Sequence, residues 1–523
     1  MQSLAFFILI GSLVVASFLL QRKAQSFTFI PKGLHLGSAF LFFQWSTLEF
    51  SGYALTLILS LEALLLVWYG IRTQGNYLRI TGLSIFGITI LQLFITLALQ
   101  SIPESPQNPV WNMRTLAFFT LTASLLISSL QFRRLGTSGA LIIHKVLQFI
   151  WIFLILIWSI LEFSGFALSL LFALQALALV WYGIRLQSRS IWVTAISLFG
   201  ISIFHLLVQT AMELALPQER FVPLWNIKSL AYGVLISSLI LTTFLFRRLG
   251  KPSITIVQNG LHLGWTILLY IWCTVEVQQW FQSLALGASG DRWMHFNYIS
   301  RFATTLLWLL CGILVNWIGL KLRKKILFLV GCGGYFLAAA FSALWSLFLP
   351  PIALFTPILN LRFLVVLLIA IGGVMLGKWL NHIPLMKRVK LWSMILHLGI
   401  ALILFELISV EIRDGFAKTL FLLSPRGGEE ILQIENMKQL TISLAWILYS
   451  FILMVLGIWR KTKTMRILAF SLFGLSILKI FIFDLAFLDT LYRIFSFMVL
   501  GFILLGVSYV YGKYRDRFRI TKE

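Results

Sequence analysis

Residues 48–55 read Leu-Glu-Phe-Ser-Gly-Tyr-Ala-Leu, and residues 161–168 read Leu-Glu-Phe-Ser-Gly-Phe-Ala-Leu. A second match lies in the same register, because Val-Trp-Tyr-Gly-Ile-Arg occupies both 67–72 and 180–185. Two long matches that share one offset along the chain indicate a tandem duplication.

Shorter matches extend this repeat over the rest of the chain. Phe-Arg-Arg-Leu-Gly occurs at 132–136 and 246–250, and Leu-His-Leu-Gly occurs at 34–37, 261–264 and 396–399. The sequence therefore predicts four units of four helices each, which we label A to D in chain order. The opening apolar segment resembles a D helix that stands alone before them.

The composition places these helices in a membrane. Of the 523 residues, 59% are hydrophobic and 11% are charged, and the mean hydropathy is +0.93. A soluble domain is about 25% charged. Backbone polar groups in lipid must be satisfied within a helix, so we predict an all-α polytopic bundle of about seventeen transmembrane helices, four parallel tandem four-helix repeats after one orphan helix. The predicted boundaries are 1–32 for the orphan helix and its linker, and 33–140, 141–257, 258–390 and 391–523 for the four repeats.

The distribution of basic residues predicts the orientation. The formal net charge is +24, and thirty of the 42 Lys and Arg residues lie in the B–C loops, the D–A connections and the carboxy-terminal tail. The positive-inside rule places those segments in the cytoplasm, with the amino terminus outside and the carboxy terminus inside. The same rule explains the charge without nucleic acid, so the expected partner is the lipid bilayer.

Helix A carries two polar positions, fourteen residues apart, in every predicted unit. Fourteen residues advance a helix by about 21 Å and leave the two side chains on one face. One position therefore lies toward the cytoplasm and the other at the outer end. The inner positions are His35, Gln148, His262 and His397, and the outer positions are Glu49, Glu162, Glu276 and Glu411.

Helix D begins with a basic residue at the same outer end. These residues are Arg114, Lys228, Arg362 and Arg493, and the first three follow an asparagine by two positions. One interpretation is a structural ion pair between helices A and D of one unit, Glu49 with Arg114 and Glu162 with Lys228. The alternative is a functional site, because ionisable groups at membrane depth are costly to keep there.

Two further features bear on packing and chemistry. Helix C repeats a glycine, which predicts a close approach of a neighbouring helix. The repeated glycines are Gly87, Gly200, Gly333 and Gly474. The chain has no zinc-ligand, phosphate-loop or hydrolase motif, so we expect no cofactor, no metal and no identified catalytic residue.

Units three and four have diverged most, and they have longer outer loops, 278–300 and 413–438. An outward-facing site for an anionic envelope molecule is therefore predicted there, and the same loops could instead bind a membrane protein partner. The candidate ligand residues are Arg362, Arg493, Lys479, Asp484, Glu276 and Glu411. Neighbouring cations are Arg292, Arg301, Arg413 and Arg426, and Asp489 shares a helix with Lys479 and Asp484.

Three classes of function stay open from these residues. The first is binding or translocation of an envelope component, such as an anionic lipid or a lipid-linked saccharide. The second is a scaffold or sensor platform for partner membrane proteins. The third, a membrane-embedded transferase, is weakened because His262 and Glu276 are about 21 Å apart on one helix and cannot act together there. An enzyme is thus the less favoured reading.

The carboxy-terminal residues carry a resemblance to a known family. The run Lys-Ile-Phe-Ile-Phe-Asp-Leu at 479–485, the run Leu-Tyr-Arg-Ile-Phe-Ser-Phe at 491–497 and the segment 501–511 resemble the end of the predicted bacterial membrane proteins called domain-of-unknown-function family 2339. Asn-Leu-Arg-Phe-Leu at 360–364 is similar to that family's recurring helix start. The resemblance implies a bacterial cytoplasmic-membrane protein, a short form of the family, and no established activity.

The topology gives the first testable prediction. Reporter domains fused after Gly136, Gly250 and Glu523 should all report a cytoplasmic location, because each fusion point lies on the basic side of the membrane. The measurement is a paired alkaline phosphatase and fluorescent-protein assay. A periplasmic signal at any one of the three points would break the four-helix register.

Overall fold

The computed structural model describes residues 2–23, 29–99, 111–214, 221–247, 252–286, 290–349, 355–380, 389–423 and 428–481, with short helical pieces between 494 and 509. The long described ranges form sixteen helices and no strand. They are α1 (Gln2–Lys23), α2 (Phe29–Glu49), α3 (Gly52–Arg72), α4 (Asn76–Leu99), α5 (Met113–Leu135), α6 (Ser138–Glu162), α7 (Gly165–Arg185), α8 (Arg189–Leu214), α9 (Ile227–Arg247), α10 (Pro252–Ala285), α11 (Asp291–Leu322), α12 (Lys325–Phe348), α13 (Leu361–Leu380), α14 (Val389–Leu423), α15 (Gly428–Trp459) and α16 (Lys463–Lys479).

Thirteen of the described helices are long and apolar enough to cross a membrane. The predicted all-α, polytopic fold class is therefore confirmed. Large apolar side chains are exposed along most of these helices, as on Phe149, Phe153 and Ile160 of α6. Such side chains suit contact with lipid tails rather than water. The four-unit repeat and its boundaries stay a prediction.

The chain forms two compact bodies, 1–175 and 176–523, and α7 runs from the first into the second. In the first body α3 packs on α4 and α5, and α5 packs on α6. Its core includes Leu59, Phe86, Phe118, Leu121 and Leu154, all 2% exposed or less.

In the second body, consecutive helices pack as antiparallel hairpins. These hairpins are α9–α10, α11–α12, α13–α14 and α15–α16. The core around α11, α12 and α13 contains Phe302, Phe328, Val365 and Ile369. Every helix reverses direction in the membrane, so the ends of α10 and α14 and the starts of α11, α13 and α15 lie on the same side.

Four connections between a predicted B helix and the following C helix share one turn. At the end of each B helix, two backbone carbonyl oxygens accept hydrogen bonds from backbone N–H groups in the 6→1 and 5→2 pattern of a Schellman motif. For α3 these bonds run from Gly75 N to Gly70 O (2.9 Å) and from Gln74 N to Ile71 O (3.4 Å). The residue with positive φ is Gln74, Gln187, Arg323 or Lys461 in the four turns. The four turns thus share one backbone conformation.

A glycine at the 6→1 acceptor position lets each C helix start against the end of its B helix. A Cβ on Gly319 would lie 2.7 Å from Phe328 N, and one on Gly183 would lie 2.9 Å from Trp192 N. The corresponding glycines in the other two turns are Gly70 and Gly457. These glycines therefore allow a close approach of helices B and C at the carboxy-terminal end of helix B.

The glycines that we predicted to mediate packing do not do so. A Cβ on any of the four repeated glycines would meet nothing within 4 Å in the described part of the chain. These glycines are Gly87, Gly200, Gly333 and Gly474. The prediction was wrong because recurrence at one helical position does not say which direction that position faces.

The two segments predicted as long outer loops are mostly helical. In the range 278–300, α10 continues to Ala285 and α11 begins at Asp291; in 413–438, α14 continues to Leu423 and α15 begins at Gly428. α10 and α14 have 34 and 35 residues, or about 51–53 Å at 1.5 Å per residue. The hydrocarbon core of a bilayer is about 30 Å thick, so both helices extend well beyond it.

The turn glycine gives a prediction with a matched control on the neighbouring helix. Gly319→Ala should destabilise the protein by about 1–3 kcal/mol, because the new Cβ forces α11 away from the start of α12. Gly333→Ala should cost nothing, because a Cβ there meets open space. Both are measured as thermal or denaturant unfolding in detergent. Equal losses for the two variants would contradict the packing assignment.

Candidate functional site

The first cluster of polar groups joins the start of α5 to the end of α6. Asn112 caps α5, since its side-chain oxygen accepts a bond from Thr115 N at 2.7 Å. Its amide nitrogen donates to Glu162 Oε2 at 3.1 Å, and Arg114 Nε donates to Glu162 Oε1 at 2.6 Å. The Glu162 side chain is 0% exposed. We call this arrangement an Asn–Glu clamp: a capping asparagine bonded to a glutamate of the next helix.

A second clamp joins α9 to α10. Asn226 accepts from Ser229 N at 2.7 Å and donates to Glu276 Oε1 at 3.4 Å. Glu276 also accepts bonds from Ser229 Oγ and from Leu224 N, the latter at 3.0 Å. The cation of this clamp has a different partner from Arg114 in the first clamp. Lys228 Nζ lies 3.5 Å from Glu213 of α8 and 4.7 Å from the Phe221 ring centroid.

The third clamp, between α13 and α14, contains the most charges. Asn360 donates to both Glu411 oxygens, at 2.9 and 3.0 Å, and Arg362 donates to Glu411 from Nε and Nη2. The remaining Arg362 nitrogen bonds Asp414, which also accepts from Arg413 Nε at 2.7 Å. Two guanidinium groups thus face two carboxylates, and these four charges sum to zero. Arg362 is 1% exposed.

A strained turn precedes the second and third asparagines. Trp225 N donates to Pro223 O at 2.8 Å across Leu224, whose φ is 65°. Ile358 has φ 66° in the matching turn before Asn360. A γ-turn with positive central φ is rare and costs free energy in any residue other than glycine. The N–H of each central residue donates to the clamp glutamate at 3.0 Å, so the carboxylate holds the turn in place.

The ion pairs connect different helices from those that we predicted. We expected Arg114 to pair with Glu49, and Glu162 with Lys228, within single units. The structure instead pairs Arg114 with Glu162, between the consecutive helices α5 and α6. The end of one helix and the start of its antiparallel neighbour meet at the same membrane face, which makes them nearest partners. Glu49, at the end of α2, is exposed.

The inner polar positions of helix A are bonded locally. Ser17 Oγ lies 3.0 Å from His35 Nδ1, which connects α1 to α2. Trp265 Nε1 donates to His262 Nδ1 at 3.1 Å, and His397 Nδ1 lies 2.6 Å from Ser393 O. Gln148 is 4% exposed. These residues therefore lie among the packed helices rather than in water.

Of the other candidate ligand residues, only Lys479 lies within the described part of the chain. Its Nζ donates to Ser443 Oγ at 2.6 Å and to Gln439 O at 3.2 Å, both on α15. Arg493, Asp484 and the neighbouring Asp489 fall outside the described residues. The roles that we assigned to these residues as candidate ligands therefore stay predictions.

The asparagine and the cation that we noted in the sequence belong to a longer signal, whose proline was missed. Pro-x-x-Asn-x-Arg/Lys occurs at 109–114, 223–228 and 357–362. The proline starts the γ-turn of the second and third sites, and the asparagine caps the helix. The cation pairs with the clamp glutamate in the first and third sites. Asp414 and Ser229 have no such signal, because their roles depend on which helix lies opposite.

The helices and their buried clamps define a multi-pass α-helical membrane protein. Within it, residues 326–514 match the family model described as "Predicted membrane protein (DUF2339)", which confirms the resemblance seen in the carboxy-terminal residues. The matched region runs from α12 through α16 and includes the third clamp. No curated protein and no solved structure matches the chain.

The first clamp gives a prediction about stability, in which a buried ion pair should contribute more than an exposed one. Arg114→Met or Glu162→Gln alone should destabilise the protein by about 3–5 kcal/mol, because each strands a buried partner. The double variant should lose much less than the sum of the two. Unfolding in detergent measures all three.

The control is the pair Lys438–Glu435, whose side chains are 16% and 50% exposed. The variants Lys438→Met and Glu435→Gln should show a coupling below about 1 kcal/mol. A coupling between Arg114 and Glu162 no larger than this surface value would refute the clamp as a stabilising unit.

Proposed function

We propose that this membrane protein is a platform that binds a partner membrane protein through two helical hairpins on the outer side. The first pairs residues 277–285 of α10 with 291–300 of α11, the second pairs residues 412–423 of α14 with 428–440 of α15, and we call them the outer hairpins. The observation that supports the proposal is the length of these helices beyond the clamps.

The length of each helix beyond its clamp is counted from the clamp glutamate. α6 ends at Glu162 itself, whereas α10 continues nine residues past Glu276, and α14 continues twelve residues past Glu411. At 1.5 Å per residue the extensions are about 14 and 18 Å. They start from the membrane side on which the clamps lie, because alternate helix ends return to that side.

The outer hairpins carry the kind of surface that binds protein. In the first, Trp280, Leu284 and Trp293 are 44%, 46% and 52% exposed. In the second, Leu432 and Met437 are 64% and 58% exposed, next to charged side chains such as Glu435. Aromatic and methionine side chains bordered by charge are enriched at protein interfaces.

The contacts at the candidate anion site favour the platform over an outward-facing site for an envelope component. The donors of Arg362 are bonded to Glu411 and Asp414, and Arg413 also donates to the carbonyl oxygens of Ser346 and Leu347. An anion could recruit these groups only by breaking buried bonds, at a cost of several kcal/mol for a stranded charge. Envelope-component binding there is the weaker proposal.

Site-specific photo-crosslinking tests the platform. A photoreactive phenylalanine analogue replaces Trp293 or Leu432 in the full chain in its native membrane. Both positions should give an adduct of discrete mass with the same partner protein, identified by mass spectrometry. Leu337, 52% exposed on α12 within the membrane, is the control and should not give that adduct.

A second arm tests whether the apolar surface carries the binding. Leu284→Gln together with Leu286→Gln should lower the Trp293 adduct about fivefold or more, the effect of losing a contact worth about 1 kcal/mol. Stability should not change, because both leucines are 46% exposed. Adducts with lipid alone, with a second copy of the chain, or equally at Leu337 would refute the proposal.

A further inference from the structure

A cleft of about 360 Å³ lies between α9, α10 and α11, at the end of these helices opposite to the clamps. Each helix contributes one stripe of side chains at helical spacing. They are Ile236, Ile240, Thr243, Phe244 and Arg247 from α9; Gln258, His262, Trp265 and Leu269 from α10; and Leu314, Ile318 and Leu322 from α11, with Lys324 after it. The cleft therefore runs along the helices, with α10 between its two walls.

Polarity changes along the length of the cleft. The part nearer the membrane centre is lined by apolar side chains, such as Ile236, Leu269 and Leu314. At the carboxy-terminal ends of α9 and α11 the lining residues are Arg247, Lys324 and Gln258, and we call this end the mouth. From Leu269 to Gln258 the stripe on α10 spans about 16 Å. An occupant must accordingly be apolar over most of its length and polar at one end.

The mouth carries two cations on different helices. Arg247 is exposed at the end of α9, and Lys324 Nζ lies 3.5 Å from Gln258 Oε1. Neither forms an ion pair with a carboxylate among the residues that the structure describes. Two cations that converge on one opening form a site for an anion, and Arg in particular matches phosphate in geometry.

His262 supplies a further donor at the same end. The Trp265 indole can only donate, so His262 Nδ1 accepts its bond, and the neutral ring carries its proton on Nε2. His262 and Gln258 are 6% and 8% exposed, and both line the cleft. The polar end of the cleft is thus built from buried side chains as well as surface cations.

We propose that this cleft binds one anionic phospholipid, with an acyl chain along the apolar walls and the phosphate between Arg247 and Lys324. The exposed Arg323 beside the mouth adds positive charge toward an anionic leaflet. The proposal does not depend on the outer hairpins, which lie at the other end of α10 and α11.

The test uses the purified full chain and native mass spectrometry. The protein is placed in nanodiscs of phosphatidylcholine with a minor fraction of phosphatidylglycerol, and retained lipid is measured after release. The wild type should retain one phosphatidylglycerol. Arg247→Gln and Lys324→Gln should each weaken retention about fivefold, as expected for one cation near an anionic lipid. Lys325→Gln, next in sequence but outside the cleft lining, should have no effect.

A second pair of variants tests the apolar walls. Leu314→Trp should fill the cleft and abolish retention, whereas Leu310→Trp, one turn away and outside the lining, should not. Both leucines are about half exposed, so the larger ring has room, and size-exclusion profiles verify folding. Loss of retention in both tryptophan variants would refute the cleft as the site.

Two other outcomes would overturn the lipid assignment. Equal retention of phosphatidylcholine and phosphatidylglycerol would show that the cations do not select the headgroup. Displacement of the bound phospholipid by millimolar inorganic phosphate, with no effect of Leu314→Trp, would make the mouth a site for free phosphate.

Discussion

A carboxylate buried at the membrane face is the constraint on which the helix junctions depend. Glu162 is removed from solvent, and Arg114 and Asn112 both donate hydrogen bonds to it. The helix start beneath it adds a favourable dipole. One side chain therefore fixes the end of α6, the cap of α5 and the relative height of the two helices.

The third clamp shows how this requirement grows with burial. Arg362 is almost completely buried, and a single carboxylate does not occupy all its donors, so Asp414 accepts the remaining nitrogen. Arg413 then balances Asp414 and reaches the last carbonyl oxygens of α12. The network thereby joins α12, α13 and α14. Arg362 and Arg413, which the sequence offered as ligand residues, bond to other protein groups and stabilise the fold.

Sequence alone predicted the fold class, because apolar runs depend only on the geometry of one helix. It also placed the helix A glutamates and the helix D cations at the same end of the bundle, and Glu162 and Arg114 do meet there. It did not predict the partner of Arg114, since spacing along the chain says which face a residue reaches and not which helix stands beside it. The same limit explains Gly333, whose position recurs but faces no neighbour, while Gly319 makes the close approach. The cleft was missed because its lining comes from three different helices, α9, α10 and α11. The segment between α10 and α11 was predicted as a long loop, although most of it is helical.

The position of the clamps along the chain also bears on how such a protein can gain helices during evolution. The segment that follows Glu162 and ends at Glu276 contains the asparagine, the cation and the glutamate of the second clamp, and the segment from there to Glu411 contains those of the third. Copying either segment in tandem therefore adds a junction that arrives with both halves of its clamp. Duplication thus leaves no stranded charge in the bilayer. A protein joined in this way can gain helices by recombination without first evolving a new interface.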